Sequence, residues 1–265
     1  MLSSCCRVSG SLGSFRPKES FCSPIQRVAL RVFKELAASL LLSSITFYFT
    51  PTLLGQHLLG QALLIQAVLS VIFHSFQEFA LCHPQKCGSF VKIFEWASTL
   101  SFGLLSGYNI QTLVHESGHA LASTLVYKNP RPSIEIHPFS GGHTHFYKTA
   151  LSLFGHKLGP KLSTLFVIAS GPGLTLLVSS ATFVLGMFLF NQGKLLGKYL
   201  LGFSLVDFAN HARYAYSALH TPPYQLSHDF VHLSVFGLNP VVATVGIIAI
   251  PVILYLSMRK TKSHT

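Results

Sequence analysis

Seven apolar runs, each about long enough to cross a lipid bilayer, constrain this chain more than any motif does. They cover roughly residues 36–54, 58–81, 90–107, 108–127, 162–190, 195–219 and 240–258, and a helix needs about 20 such residues to span the hydrocarbon core. Charged residues make up 10% of the 265-residue sequence, against about 25% in a soluble domain. So little polar surface cannot cover a water-soluble globule of this size. The expectation is an all-α integral membrane protein with six or seven transmembrane helices and no internal repeat. Soluble Rossmann-like and secreted disulfide folds do not fit.

The segments between the runs set the organisation. Residues 1–24, rich in Ser, Cys, Arg and Gly, read as a disordered basic arm. Residues 25–90 hold the first membrane helices, opening with a short basic amphipathic lead-in over 25–35. Residues 91–258 form the membrane core, and 259–265 a basic tail. Gly107-Tyr108-Asn109 reads as a break between the third and fourth runs. Residues 130–148 alternate and carry Pro130, Pro132, Pro138 and a Gly pair, the pattern of a β-hairpin or re-entrant loop. The formal charge is +11, with the basic residues clustered between apolar runs. Membrane topology and anionic headgroups account for that pattern without nucleic acid. The basic arm places the N-terminus in the cytoplasm, and the expected location is a bacterial inner membrane or an organellar membrane. Cys82 and Cys87 read as two thiols at a membrane-edge loop, since their spacing suits a zinc knuckle poorly.

The chemistry lies in the fourth run, at His115-Glu116-Ser117-Gly118-His119. At 100° per residue, positions i and i+4 fall about 40° apart on a helix, so both imidazoles can reach one Zn²⁺. Glu116 faces the same cavity, where it can take a proton from a metal-bound water and return it to a leaving amine. In a chain of this length and composition the motif arises by chance about 0.02 times. Carboxylates and histidines are also costly in lipid unless partnered. A third ligand must leave one position open for water. Asp207, in SLVDFANHARY, and Asp229, in QLSHDFVHLSVFGLNP, are the later carboxylates, and His228 or His232 could also bind. Residue pattern alone does not separate them.

Two further features accompany the motif. The loop Phe139-Ser-Gly-Gly-His-Thr-His-Phe146 offers Gly141, Gly142, His143 and Thr144 as a strand edge on which an extended substrate could dock, with His143 a candidate oxyanion partner. Ala169-Ser-Gly-Pro-Gly173 lets helices pack closely, and Pro172 should kink its span.

Taken in order, HESGHALAS (115–123), the SGGHT loop (140–144), ASGPG (169–173) and SHDFVHLSVFGLNP (227–240) resemble the site-2-protease-like membrane metalloproteases, peptidase family M50, and especially its M50B-like branch. The resemblance covers roughly residues 108–258, within a metalloprotease core at 91–258; residues 1–90 lie outside it. It implies zinc held by His115, His119 and a distal aspartate, Glu116 as general base, and cleavage of a peptide bond in or beside the membrane. The branch's serine-aspartate element before a short helix matches Ser227-His228-Asp229, which favours Asp229 over Asp207. The family's Asn-x-x-Pro and Leu-Asp-Gly distal motif is absent, as is the Asn that often follows Gly-Pro.

The reading is therefore an intramembrane zinc metalloprotease acting on a membrane-embedded or membrane-adjacent protein substrate. One alternative is a non-proteolytic transporter or degenerate scaffold. The other is a membrane di-iron oxidase or desaturase, suggested by the boxes His115/His119 and His228/His232 with His143 and His145. That class wants adjacent His-His pairs and about eight ligands, and the chain has no His-His pair. Five of the eight acids, Glu78, Glu95, Glu116, Asp207 and Asp229, fall within or against apolar runs.

Overall fold

The protein is described by a computed structural model over residues 23–222, 224 and 228–262. The expected arm (apart from its last two residues), Cys5, Cys6, Cys22, Ser227 and the end of the C-terminal tail lie outside the described residues.

Apart from one two-stranded sheet, the fold is helical. Helix α1 runs Pro24–Tyr48, opened by a capping box in which Ser23 and Gln26 bond each other's backbone. The basic lead-in and the first apolar run are thus one helix, because the cap lies at Ser23 and nothing between the two segments breaks the backbone ladder. Helix α2, Leu53–Cys82, starts at the Thr52 cap. Only His83 separates it from α3, Pro84–Phe102, so the membrane-edge loop expected around Cys82 and Cys87 is instead a tight helix junction. The expected break at Gly107-Tyr108-Asn109 is also corrected. A π-helical turn, Gly103–Gly107, carries α3 into α4, Tyr108–Val126, without interruption. Glycine is needed at that turn for approach: a methyl on Gly103 would sit 2.7 Å from the Gly202 carbonyl oxygen.

The segment expected to be a hairpin is one. Strands β1, Ser133–His137, and β2, Gly141–His145, pair antiparallel with Ser133 opposite His145 and His137 opposite Gly141. Phe139 (φ 60°) and Gly141 (φ 122°) make the turn. Two backbone donors of the hairpin reach other elements: the Ile136 N–H donates to the Phe49 carbonyl (2.8 Å), and the Phe139 N–H to Asn109 Oδ1 (3.0 Å).

Beyond it come α5 (Leu153–Asn191), α6 (Leu195–Ser217), the short α7 (Asp229–Val235) and α8 (Pro240–Lys262). Gly159, at φ 78° and followed by Pro160, kinks the start of α5. Pro172 lies within the helix beyond this kink.

Three helices, Leu53–Cys82, Leu153–Asn191 and most of α8 (Pro240–Arg259), are long and apolar enough to cross a membrane. The other long helices carry charged or histidine side chains that their neighbours in the bundle enclose. Burial differs from that of a water-soluble domain: Leu40, Leu64, Phe76, Leu177, Leu185 and Ile253 face outward, while apolar residues such as Val126, Ile136 and Leu201 are enclosed together with Glu35, Gln66, Ser70, Asn109, Gln111, Ser179 and Asp207. Such enclosed groups need partners. Glu35 lies within 2.9 Å of His74 Nε2, Ser98 Oγ and Tyr199 Oη and also accepts from Gln66, so one carboxylate ties α1 to α2, α3 and α6.

The α3–α6 crossing depends on missing side chains. A methyl at Gly202 would meet the Thr99 carbonyl oxygen at 2.5 Å, whereas one at Gly60 would meet nothing within 4 Å. Gly202→Val is expected to cost about 1–3 kcal/mol by overpacking. Gly60→Ala should be neutral or stabilising by up to about 1 kcal/mol. Thermal denaturation in detergent checks both, and equal midpoints would refute this account of the crossing.

Candidate metal centre

Helix α4 presents His115, Glu116 and His119 on one side, as the i, i+4 spacing predicts. It can bring them this close to α5 because Gly118 lies at the crossing, where a methyl would stand 2.9 Å from the Gly171 Cα. A methyl on Gly171 itself would fall 2.9 Å from His115 Nε2 and closer still to the His119 ring. The ASGPG stretch is therefore more than helix packing: its first glycine makes room for both imidazoles.

Asp229, the first residue of α7, reaches the same point. Its Oδ2 lies 2.8 Å from His115 Nε2 and 3.4 Å from His119 Nε2, and the two Nε2 atoms are 3.3 Å apart. One ligand atom from each of His115, His119 and Asp229 lies within 4.8 Å of the other two. Two nitrogens and a carboxylate oxygen are a donor set suited to Zn²⁺. His119 Nδ1 donates to the Val167 carbonyl at 2.8 Å, which turns Nε2 toward its partners. Burial by itself would raise the Asp229 carboxyl, but hydrogen bonds from His115 and His119 outweigh it and hold the group well below the usual carboxylate range.

The segment bearing Asp229 is clamped by α6. Its backbone N–H donates to Tyr214 Oη at 3.0 Å, the Tyr214 ring stacks on His228 at 4.1 Å, and His228 Nε2 lies 3.0 Å from Ser217 Oγ. Burial pushes the His228 imidazole below its usual range. His228 and His232 line the cavity but do not join the ligand group.

Asp207, the rival third ligand, lies elsewhere. It is fully buried within α6, accepts from Ser179, and has His211 Nδ1 at 3.2 Å. It stands behind His211, whose ring is 5.6 Å from that of His115.

Glu116 is buried at the edge of a cavity of about 640 Å³. The Thr144 hydroxyl is 2.7 Å from its Oε2 and 2.9 Å from its backbone carbonyl, so β2 is tied directly to the carboxylate. Gly141, Gly142, His143 and Thr144 all line this cavity. Gly142 is the close neighbour, since a methyl there would lie 2.8 Å from Glu116 Cγ. His143 and His137 contact each other ring to ring at 5.6 Å. Sequence reading missed Tyr214 and Val167, whereas His211 beside Asp207 is where a pairing one helical turn apart would place it. Tyr214 lies seven residues beyond Asp207 on the same helix, a spacing that could have hinted at a shared face; a backbone carbonyl leaves no trace in sequence.

No protein-family model, curated protein or solved structure matches this chain.

If Gly171 makes room for the histidines, Gly171→Ala should abolish stoichiometric binding of Zn²⁺ or Co²⁺ by the purified chain. Gly173→Ala, with open space around it, should leave binding unchanged. Metal analysis after dialysis distinguishes them, and an alanine at 171 that retains metal would overturn the packing argument.

Proposed function

We propose that this protein is a multi-pass membrane zinc metalloprotease that hydrolyses peptide bonds in or near the bilayer. The observation that carries the reading is the convergence of His115, His119 and Asp229, drawn from helices far apart in sequence, beside the buried carboxylate of Glu116. The apolar exterior and the enclosed polar groups support a lipid surround, since groups with no water to bond must be satisfied within the bundle. The resemblance to the site-2-protease-like family supports the same reading.

In this proposal His115, His119 and Asp229 hold the ion. Bound zinc would supply Lewis acidity, lowering the pKa of water toward neutrality and polarising the scissile carbonyl. Glu116 accepts the proton of the attacking water at a carboxylate oxygen and delivers it to the leaving amine nitrogen. Thr144 orients that carboxylate through its hydroxyl. Strand β2 guides an extended stretch of substrate past Glu116, with Gly141 and Gly142 leaving space for its backbone. A substrate helix must unwind first, because its carbonyls are otherwise bonded within the helix. A di-iron centre would need several more ligands than the three that converge among the described residues.

Metal analysis of the purified chain should find about one zinc per molecule; two irons would sink the protease reading. Glu116→Gln should retain zinc and the fold while lowering the rate of peptide hydrolysis by about 10²–10⁴-fold or more. A variant that still cuts at the parent rate would remove Glu116 as base. Asp229→Asn should lose zinc and Asp207→Asn should keep it, so the reverse pattern would reassign the third ligand.

A further inference from the structure

A second cavity, of about 390 Å³, opens between the start of α1, the adjoining parts of α2 and α3, and the α5–α6 turn. It is lined by no residue of the metal centre. Arg27, Arg31 and Lys34 reach it from one face of α1, at spacings of four and three residues, and Lys198 from the first turn of α6. Arg27 pairs with Glu78, Arg31 bonds Gln77 Oε1 at 3.2 Å and lies 3.8 Å from Glu78, and Lys198 pairs with Glu95. Lys34 is exposed and has no ion pair among the described residues. Glu35 lies below, its oxygens already taken by four neighbours. Even with Glu35 counted as ionised, four cations face three carboxylates.

A backbone feature adds to this surplus. The 23-residue helix α6 begins at the cavity: Gly193 and Leu195 line it, and the N-cap Lys194 makes no side-chain capping bond. Uncapped N–H groups at the positive end of a long helix dipole favour an anion. Beside these charges, Leu30, Phe33 and Leu196 are 47%, 70% and 58% exposed. A free inorganic anion has no use for that apolar border, whereas a molecule with a charged head and hydrocarbon tails does.

We propose that this cavity binds the phosphate headgroup of an anionic phospholipid, whose acyl chains cover Leu30, Phe33 and Leu196. Basic pockets between membrane helices take such headgroups on the cytoplasmic side, the side on which the basic N-terminal end of α1 is expected. The inference rests on the membrane part of the proposed function and is independent of zinc and proteolysis.

The test uses the full chain in neutral detergent and follows its thermal midpoint while dioctanoyl phosphatidylglycerol, dioctanoyl phosphatidylcholine or inorganic phosphate is added. Phosphatidylglycerol should raise the midpoint saturably, and phosphatidylcholine should not. Lys34→Gln removes an exposed, unpartnered charge, so its ligand-free midpoint should match the parent while its apparent affinity falls about fivefold. Adding Arg31→Gln should weaken binding further, each protein being compared with its own ligand-free midpoint. An equal response to phosphatidylcholine, no response to phosphatidylglycerol, or an unchanged affinity in Lys34→Gln overturns the site. A phosphate response as large as that to phosphatidylglycerol keeps the anion site and overturns its lipid source. A chain that stays monodisperse without detergent would overturn the membrane reading itself.

Discussion

The close crossing of α4 over α5 is the contact on which the rest of the candidate site depends. Gly118 and Gly171 lack side chains where the helices meet, and the vacated space holds two imidazoles. The Val167 carbonyl on α5 then fixes the His119 ring. Adding a single methyl would force the helices apart or rotate the rings away. Small residues serve helix contact throughout lipid-embedded bundles, but here the same glycines also set the positions of ligand nitrogens.

Three separate parts of the chain converge on that crossing. The hairpin brings Thr144 to Glu116 and is pinned by Phe49 at the end of α1 and Asn109 on α4. Residues before 90 therefore help hold the strand that lies beside the carboxylate. From the other side, Tyr214 and Ser217 on α6 clamp His228 and Asp229. Asp207 lies one layer back, engaged by Ser179 and His211. Its Oδ2 accepts from Ser179, and it does not join the ligand group that Asp229 completes.

Much of the fold could be read from periodicity and composition. The helices follow the apolar runs because a helix satisfies its own backbone groups where no water can. The hairpin followed from alternation and turn residues between 130 and 148. What misled were local signals with a second use. Gly107-Tyr108-Asn109 looks like a break, but its glycine serves a π-turn and close approach to α6. Gly159-Pro160 gave no warning of a kink, yet φ is positive at Gly159 and the helix breaks there. The basic lead-in looks separate from the first run, but the capping box lies upstream of both.

The division between sequence and tertiary structure follows from the range of each interaction. Sequence by itself determined which side chains could share one helix face, His115, Glu116 and His119, because helical geometry is local. It also determined that five of the eight acids would fall within or against apolar runs, but not that Glu35, assigned outside them, would be fully buried. Which aspartate would meet the histidines was beyond local pattern. Asp207 and Asp229 both sit near histidines in apolar surroundings, and only the packing of α6 and α7 decided that one would face the pair and the other stand behind it. The second, cationic cavity is likewise tertiary: Arg27, Arg31 and Lys34 lie 164 to 171 residues before Lys198, and only the folded bundle makes them neighbours.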